Sequence, residues 1–201
     1  MSESKPFAQA CENNKEPILV VLLRHLDGLD MVLEIGSGTG QHAVHMARHL
    51  PHLSWQTSDL AHQHAGICAW IEDSGLSNVV APLELDVNAT AWPCPSAPAI
   101  YSANTAHILS WGSVQAMFAG VSRTLATGGL FALYGPFNYG GIFTSPGNRR
   151  LDQSLKAHDS LSGIRDFEAL DELAQANRLH LIEDNEMPAN NRLLIWRAQT
   201  A

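Results

Sequence analysis

Glu34-Ile35-Gly36-Ser37-Gly38-Thr39-Gly40 is the stretch on which the reading of this chain turns. Before it stands Met31-Val32-Leu33-Glu34-Ile35, a short apolar run with the length and composition of a buried strand. After it, Gln41 to Leu50 places Ala43, Met46, Ala47 and Leu50 at helical spacing, and Pro51 stops the pattern. Strand, glycine turn, helix is the context in which such a motif carries meaning. Glycines let the main chain approach a ligand closely, and the helix start offers N–H groups without intrahelical partners.

The same alternation continues on both sides. Pro17 is expected to open a helix, with Asn13 or Asn14 near its cap; Leu19, Leu22, Leu23 and Leu26 follow at helical spacing and Gly28 ends it. Downstream, Ser54–Thr57 reads as a second strand and His62–Ser74 as a helix with Ile67, Trp70 and Ile71 inward. Val79–Leu85 reads as a third strand, Trp92–Pro98 as a proline-rich surface connection, and Ala99–Ala103 as a fourth strand. Val114–Leu125 is helical, and Leu130–Tyr134 is a fifth strand. Residues 135–163, rich in Gly, Pro, Asn and aromatics, break the rhythm and read as a lid-like insertion. A helix over Asp166–Ala176 and strands over Leu179–Glu183 and Leu193–Trp196 complete the chain. The last two strands are too close for a parallel crossover and should form an antiparallel hairpin. These elements predict one α/β domain over residues 1–201, with 1–28 as an amino-terminal helical segment. Its core is a Rossmann-like, seven-stranded, mostly parallel sheet with helices on both faces.

Composition narrows the function. Twelve Lys and Arg against 20 Asp and Glu give a net charge of −8, and charged residues are only 16% of the 201. A nucleic-acid backbone or an anionic membrane surface is therefore not the expected partner. The longest apolar run, Ile18–Leu23, is too short to cross a bilayer. Cys11, Cys68 and Cys94 are odd in number and widely spaced, which fits a reducing, cytoplasmic setting rather than a disulfide framework. His42, His45 and His49 share one helical stripe, with His62 and His64 further on. No carboxylate or cysteine has ligand spacing around them, so no metal is expected and the stripe reads as a solvated helix face.

Two acids complete the glycine turn. Asp59 falls at the end of the second strand, nineteen residues beyond Gly40, where a carboxylate takes both hydroxyls of a ribose. Asp86 closes the third strand, near where an adenine would lie. The glycine spacing is G-x-G-x-G preceded by Glu34, not the G-x-G-x-x-G of dinucleotide folds. An acid at the turn and a negative chain suit a cationic cofactor better than a pyrophosphate, and S-adenosylmethionine carries a sulfonium, one ribose and one adenine.

The sequence resembles the class I S-adenosylmethionine-dependent methyltransferases. Within that class it is similar to an uncharacterised branch that includes methyltransferase-like protein 26. The stretches that carry the likeness are Phe7-Ala8, Asn13–Ile18, Leu33–His42, Ser102-Ala103-Asn104 with His107-Ile108, Tyr134-Gly135-Pro136-Phe137 and Met187-Pro188-Ala189-Asn190-Asn191. The resemblance implies that Glu34, Gly36, Gly38 and Gly40, with Ser37 in the same turn, line the methionine and ribose end. It further implies that Asp59 binds the ribose, that Asp86 meets the adenine amino group with Val87 against the ring, and that Asn104 lies beside the transferring methyl. Thr105-Ala106-His107 follows Asn104, unlike the Asn-Pro-Pro-Tyr of enzymes that methylate amino groups of nucleic acids.

His107 is the candidate base for an acceptor that starts protonated, and Tyr134 a candidate to orient it, together with Asn138 and Tyr139. Asn13 and Lys15 are expected to fold over the site, Lys15 toward the cofactor carboxylate. Phe137, Tyr139 and Phe143 are expected to form an apolar cover, and Arg149, Arg150 and Arg165 are candidates to hold an acidic group or to form surface salt bridges. The expected activity is in-line methyl transfer to a small molecule, leaving S-adenosylhomocysteine. The alternatives are a protein (less readily RNA) acceptor, or a cofactor-binding module without catalysis.

Overall fold

A computed structural model describes residues 5–94 and 96–199. Residues 1–4, Pro95 of the proline-rich connection and the last two residues, on which parts of the readings above fall, lie outside the described residues. The helices are α1 (Gln9–His25), α2 (Gln41–His49), α3 (His64–Ser74), α4 (Trp111–Thr124), α5 (Pro146–His158) and α6 (Phe167–Ala176). The main strands are β1 (Met31–Ile35), β2 (Ser54–Asp59), β3 (Val79–Glu84), β4 (Ala97–Ala103), β5 (Leu125–Gly135), β6 (Leu179–Met187) and β7 (Asn191–Ala198).

The main strands form one sheet in the order β3-β2-β1-β4-β5-β7-β6. All neighbours are parallel except β7, which runs against both β5 and β6. The chain thus builds outward from β1 to β3 and then returns to place β4 on the other side of β1. At that reversal the loops leaving the carboxyl ends of β1 and β4 diverge and open a crevice.

Strand alternation sends successive side chains to opposite faces. Val32, Tyr101, Ala132 and Ile195 join one buried cluster with Ile18 and Leu22 of α1 and Met46 of α2. Leu33, Ile100, Phe131 and Leu194 join the other, with Phe118 of α4 and Leu170 of α6. Burial on both faces is why these strands read as continuous apolar runs.

Three departures from the expected elements have physical causes. First, α1 begins eight residues before Pro17 and keeps that proline inside. Its first turns are tied down from outside. The Ala8 amide donates to the Gln41 side chain at 2.6 Å, and Gln41 donates to Glu12 at 2.7 Å. Such contacts offset the backbone bond a proline removes. Second, the 135–163 segment contains α5. Ser145 caps it by accepting from the Asn148 amide, and Pro146 occupies its first turn. Its inward face is polar, with Asn148 and Asp152 buried, so an apolar period never appears in the sequence. Third, β6 and β7 run longer than their apolar cores and meet at a three-residue turn, Pro188–Asn190. The polar residues Asp184, Asn185 and Glu186 hide the extension, yet they pair in register with Leu194, Leu193 and Arg192.

Among the described residues no helix is long and apolar enough to cross a membrane.

Candidate functional site

A cavity of about 890 Å³ lies at the carboxyl edge of the sheet. Its walls come from the turn after β1, the segments after β2, β3 and β4, the end of β5, the Pro188–Asn191 turn, the start of α1, and Leu151 of α5. Of the residues singled out from sequence, Asn13, Gly36, Ser37, Gly38, Asp59, Asp86, Val87, Asn104, His107 and Tyr134 all face it. Glu34, Gly40 and Lys15 do not.

The geometry begins at Gly38, whose backbone is left-handed (φ 57°) and whose amide donates to Asp59 Oδ2 at 2.8 Å. The other oxygen of Asp59 accepts from the Leu60 amide at 2.7 Å. The carboxylate is therefore fixed against the glycine turn rather than free in solvent. A carboxylate offers about four lone-pair sites, so two remain for a ligand's hydroxyls. A side chain at Gly38 would meet open space, on the cavity side. Gly36 differs: a Cβ there would stand 2.5 Å from Thr105 Cγ2. Gly40 serves packing, because a Cβ would sit 3.1 Å from Ile67 Cα of α3. Asp86 is exposed at the cavity wall, its Oδ1 accepting from the Asn88 amide and side chain, each at 2.9 Å.

Glu34 lies beneath the turn, 1% exposed. It accepts from the Ser37 hydroxyl at 2.9 Å and from Trp55 Nε1 at 3.1 Å. Burial pushes its carboxyl up to about 7, and the charge of Asp59 pushes the same way. The Ser37 hydroxyl also accepts from the Ser58 amide at 3.1 Å, so it works on the scaffold below rather than in the cavity.

Asn104, just past β4, is left-handed at φ 59°, and its amide donates to the Tyr134 carbonyl at 2.9 Å. A non-glycine residue there is strained, though asparagine tolerates it best. His107 is 9% exposed. Burial and the positive charge of Arg165 hold its imidazole down at about 4, so it is neutral at pH 7 with a lone pair available. Arg165 does not meet the cavity. Its guanidinium donates to the carbonyls of Ala106 (3.1 Å), Leu109 and Leu161 (2.9 Å), staking down the segment that carries His107. Tyr134 is buried beside Asn14, and burial raises its hydroxyl above the usual range.

Several expectations need correcting. Lys15 turns away from the cavity and pairs with Glu12. The histidine stripe is solvated only at His49: His42 is 5% and His45 9% exposed under α1, and His42 Nε2 hydrogen-bonds Asn14 Oδ1 at 2.7 Å. Phe137 is buried in the core, and Tyr139 stacks on Phe167 with ring centroids 5.1 Å apart, so neither covers the cavity. Arg149 lies over the Phe143 ring, its guanidinium carbon 5.7 Å from the centroid. Neither Arg149, Arg150 nor Arg165 meets the cavity or pairs with a carboxylate among the described residues.

Cys11, Asn14, Thr39, Ile108 and Leu151 also face the cavity and were not anticipated as site residues. Cys11 and Asn14 fall three apart, with Ile18 four further on, a helical stripe visible in the sequence once the helix is allowed to start before Pro17.

Residues 5–198 match the family described as "Protein of unknown function (DUF938)". Among solved structures, an O-methyltransferase family protein from Burkholderia thailandensis superposes with a TM-score of 0.80 at 12% identity, covering 93% of this chain and 57% of its own. Human N-acetylserotonin methyltransferase in complex with SAM gives 0.77 at 15%, covering 96% and 53%. The S-adenosylmethionine-dependent methyltransferase SibL gives 0.76 at 17%, covering 92% and 56%. The present chain spans little more than half the length of these proteins, and what it shares with them is the fold, that of the class I methyltransferases.

Proposed function

The chain belongs to the DUF938 family, whose description names no activity, and from the crevice at its sheet edge we propose that it is an S-adenosylmethionine-dependent methyltransferase acting on a small molecule. The observation that carries the reading is the Asp59 carboxylate, locked by the Gly38 amide at 2.8 Å in a cavity of about 890 Å³. The residues present fit the cofactor: open space at Gly38, free lone pairs on Asp59, and Asp86 with Val87 at the next strand end. In this reading Gly36–Gly38 and Asn13 hold the amino-acid and ribose end, Asp59 takes the ribose hydroxyls, and Asp86 and Val87 hold the adenine. When bound, the cofactor supplies a methyl group already activated on a positively charged sulfur. What the chain must then do is align an acceptor and exclude water.

Asn104 and Tyr134 border the far half of the cavity and orient the acceptor. His107, neutral at pH 7, receives the acceptor's proton at its free ring nitrogen. The two acids at the sheet edge favour a cation at the turn. The finer placement goes with the same reading: the branch that includes methyltransferase-like protein 26, carried by Tyr134–Phe137 and Met187–Asn191, a single domain with residues 135–163 as its cover, and a cytoplasmic setting.

Calorimetry with S-adenosylmethionine and S-adenosylhomocysteine tests it. Both bind, and Asp59→Ala weakens them at least about ten-fold, as loss of a charge-assisted hydrogen-bond pair would (roughly 1.5–3 kcal/mol). Absence of binding, or an unchanged affinity in a variant with an unchanged melting curve, refutes the assignment. Label transfer from the cofactor to extract components, lost in His107→Ala with cofactor affinity retained, distinguishes catalysis from binding alone.

A further inference from the structure

The half of the cavity that the cofactor would not fill has a definite chemistry. Ligand pockets run from roughly 300 to 1,000 Å³, so a cavity of about 890 Å³ has room for a nucleoside and a second small molecule side by side. Among the described residues, which include every one of the chain's 12 lysines and arginines, no lysine or arginine faces it. Three cations on the surrounding segments are engaged elsewhere. Lys15 is held by Glu12, Arg165 by three carbonyls, and Arg192 by Asp184 at 2.8 Å and Glu186 at 3.0 Å. The carboxylates that face the cavity, Asp59 and Asp86, belong to the turn side.

By the strand order, the lining residues that follow β4, end β5 or turn the terminal hairpin stand on the side of the sheet away from Asp59 and Asp86: Asn104, His107, Ile108, Tyr134 and the Pro188–Asn191 turn, with Leu151 of α5. Ile108 is 53% and Leu151 39% exposed, large apolar side chains left open at the mouth of a polar-edged recess. The turn is rigidly placed: Ala189 and Asn190 are both left-handed, and the Asn190 carbonyl accepts from the buried Asn148 side chain of α5 at 3.1 Å.

We propose that this half of the cavity takes an uncharged, largely apolar acceptor bearing a hydroxyl or thiol that meets His107, and that it rejects carboxylates and phosphates. The proposal rests on the methyltransferase reading and names the acceptor class for the same site. An anion entering there would lose its water without gaining a lysine or arginine, and it would approach two aspartates in a chain of net charge −8. An O–H or S–H has in the neutral imidazole an acceptor for its proton. Ile108 and Leu151 supply the apolar contact.

The test is a matched pair of probes, 2-naphthol and 2-naphthoate, titrated by calorimetry into protein saturated with S-adenosylhomocysteine. The naphthol is expected to bind at least ten-fold more tightly than the naphthoate. Leu151→Arg, at a half-exposed position whose change the fold accommodates, is expected to strengthen naphthoate binding ten-fold or more while leaving S-adenosylhomocysteine affinity unchanged. Saturation with S-adenosylhomocysteine is read first, and its failure refutes the cofactor reading. If that product binds but the two probes bind equally, the naphthoate binds better, neither binds, or Leu151→Arg alters neither, the acceptor class is overturned and the cofactor reading stands.

Discussion

At the scale of single residues, Glu34 is a group whose titration the fold shifts through burial. Its carboxyl is raised from an ordinary 4.5 to about 7, so the folded protein binds a proton there more tightly than the unfolded chain. Stability from this group is complete below pH 4.5 and is lost as pH rises through 7. Glu34→Gln keeps a neutral hydrogen-bonding side chain in place. Urea titrations should therefore show wild type losing up to roughly 3 kcal/mol relative to the glutamine variant between pH 4.5 and 8; parallel pH profiles would contradict this. His107 titrates the other way. With its imidazole held at about 4, the ring should stay neutral down to pH 5, visible as constant ring nitrogen shifts in NMR between pH 5.5 and 8. Gly36→Ala should destabilise by about 1–3 kcal/mol, because its methyl would stand 2.5 Å from Thr105 Cγ2 on a left-handed backbone. These residues were legible to different degrees. The place of Asp59 at the cavity was legible because strand-end acids follow from element order. Glu34 was named with the wrong neighbour: sequence gives its place at the turn, not that its carboxyl points down to Trp55.

Among the elements, α1 and α5 explain what sequence reading missed. Apolar periodicity locates elements that bury apolar faces, and both helices also turn polar groups inward, α1 at the cavity and α5 against the neighbouring loops. On α1 these are Asn14 and, beside it, Cys11; on α5 they are Asn148 and Asp152. Asp152 accepts from the Ile164 amide at 2.9 Å, closing the loop that follows α5. Asn14 joins α1 to α2 through His42. Asn14→Ala strands a buried imidazole nitrogen and should cost about 1–3 kcal/mol. Hydrogen exchange should localise the loosening to residues 9–25, with the sheet strands unaffected; uniform loosening of the whole chain would count against α1 as a separately docked cover. The strands, by contrast, were readable almost to the residue wherever both faces are buried, and were cut short where polar residues take over, as in β6.

For the whole molecule, the number of main strands, their mostly parallel direction and the antiparallel terminal hairpin could be anticipated from the spacing of apolar runs; their order could not, and the β3–β4 connection over residues 85–96 carries no crossover helix among its described residues to signal it. A ligand seated at the sheet edge should stabilise the entire fold. S-adenosylhomocysteine at a hundred times its Kd adds about 2.7 kcal/mol, and for a chain of this size that corresponds to a melting temperature roughly 5–10 °C higher. A scan without a shift would exclude binding of that strength. The recess draws its walls from Ala8 through to Asn191, so nearly the full length of polypeptide must be in place before it exists. Uptake of a fluorescent nucleoside during refolding should then trail the burial of Trp55 and Trp196, which makes ligand capture a chronometer for the last step of assembly.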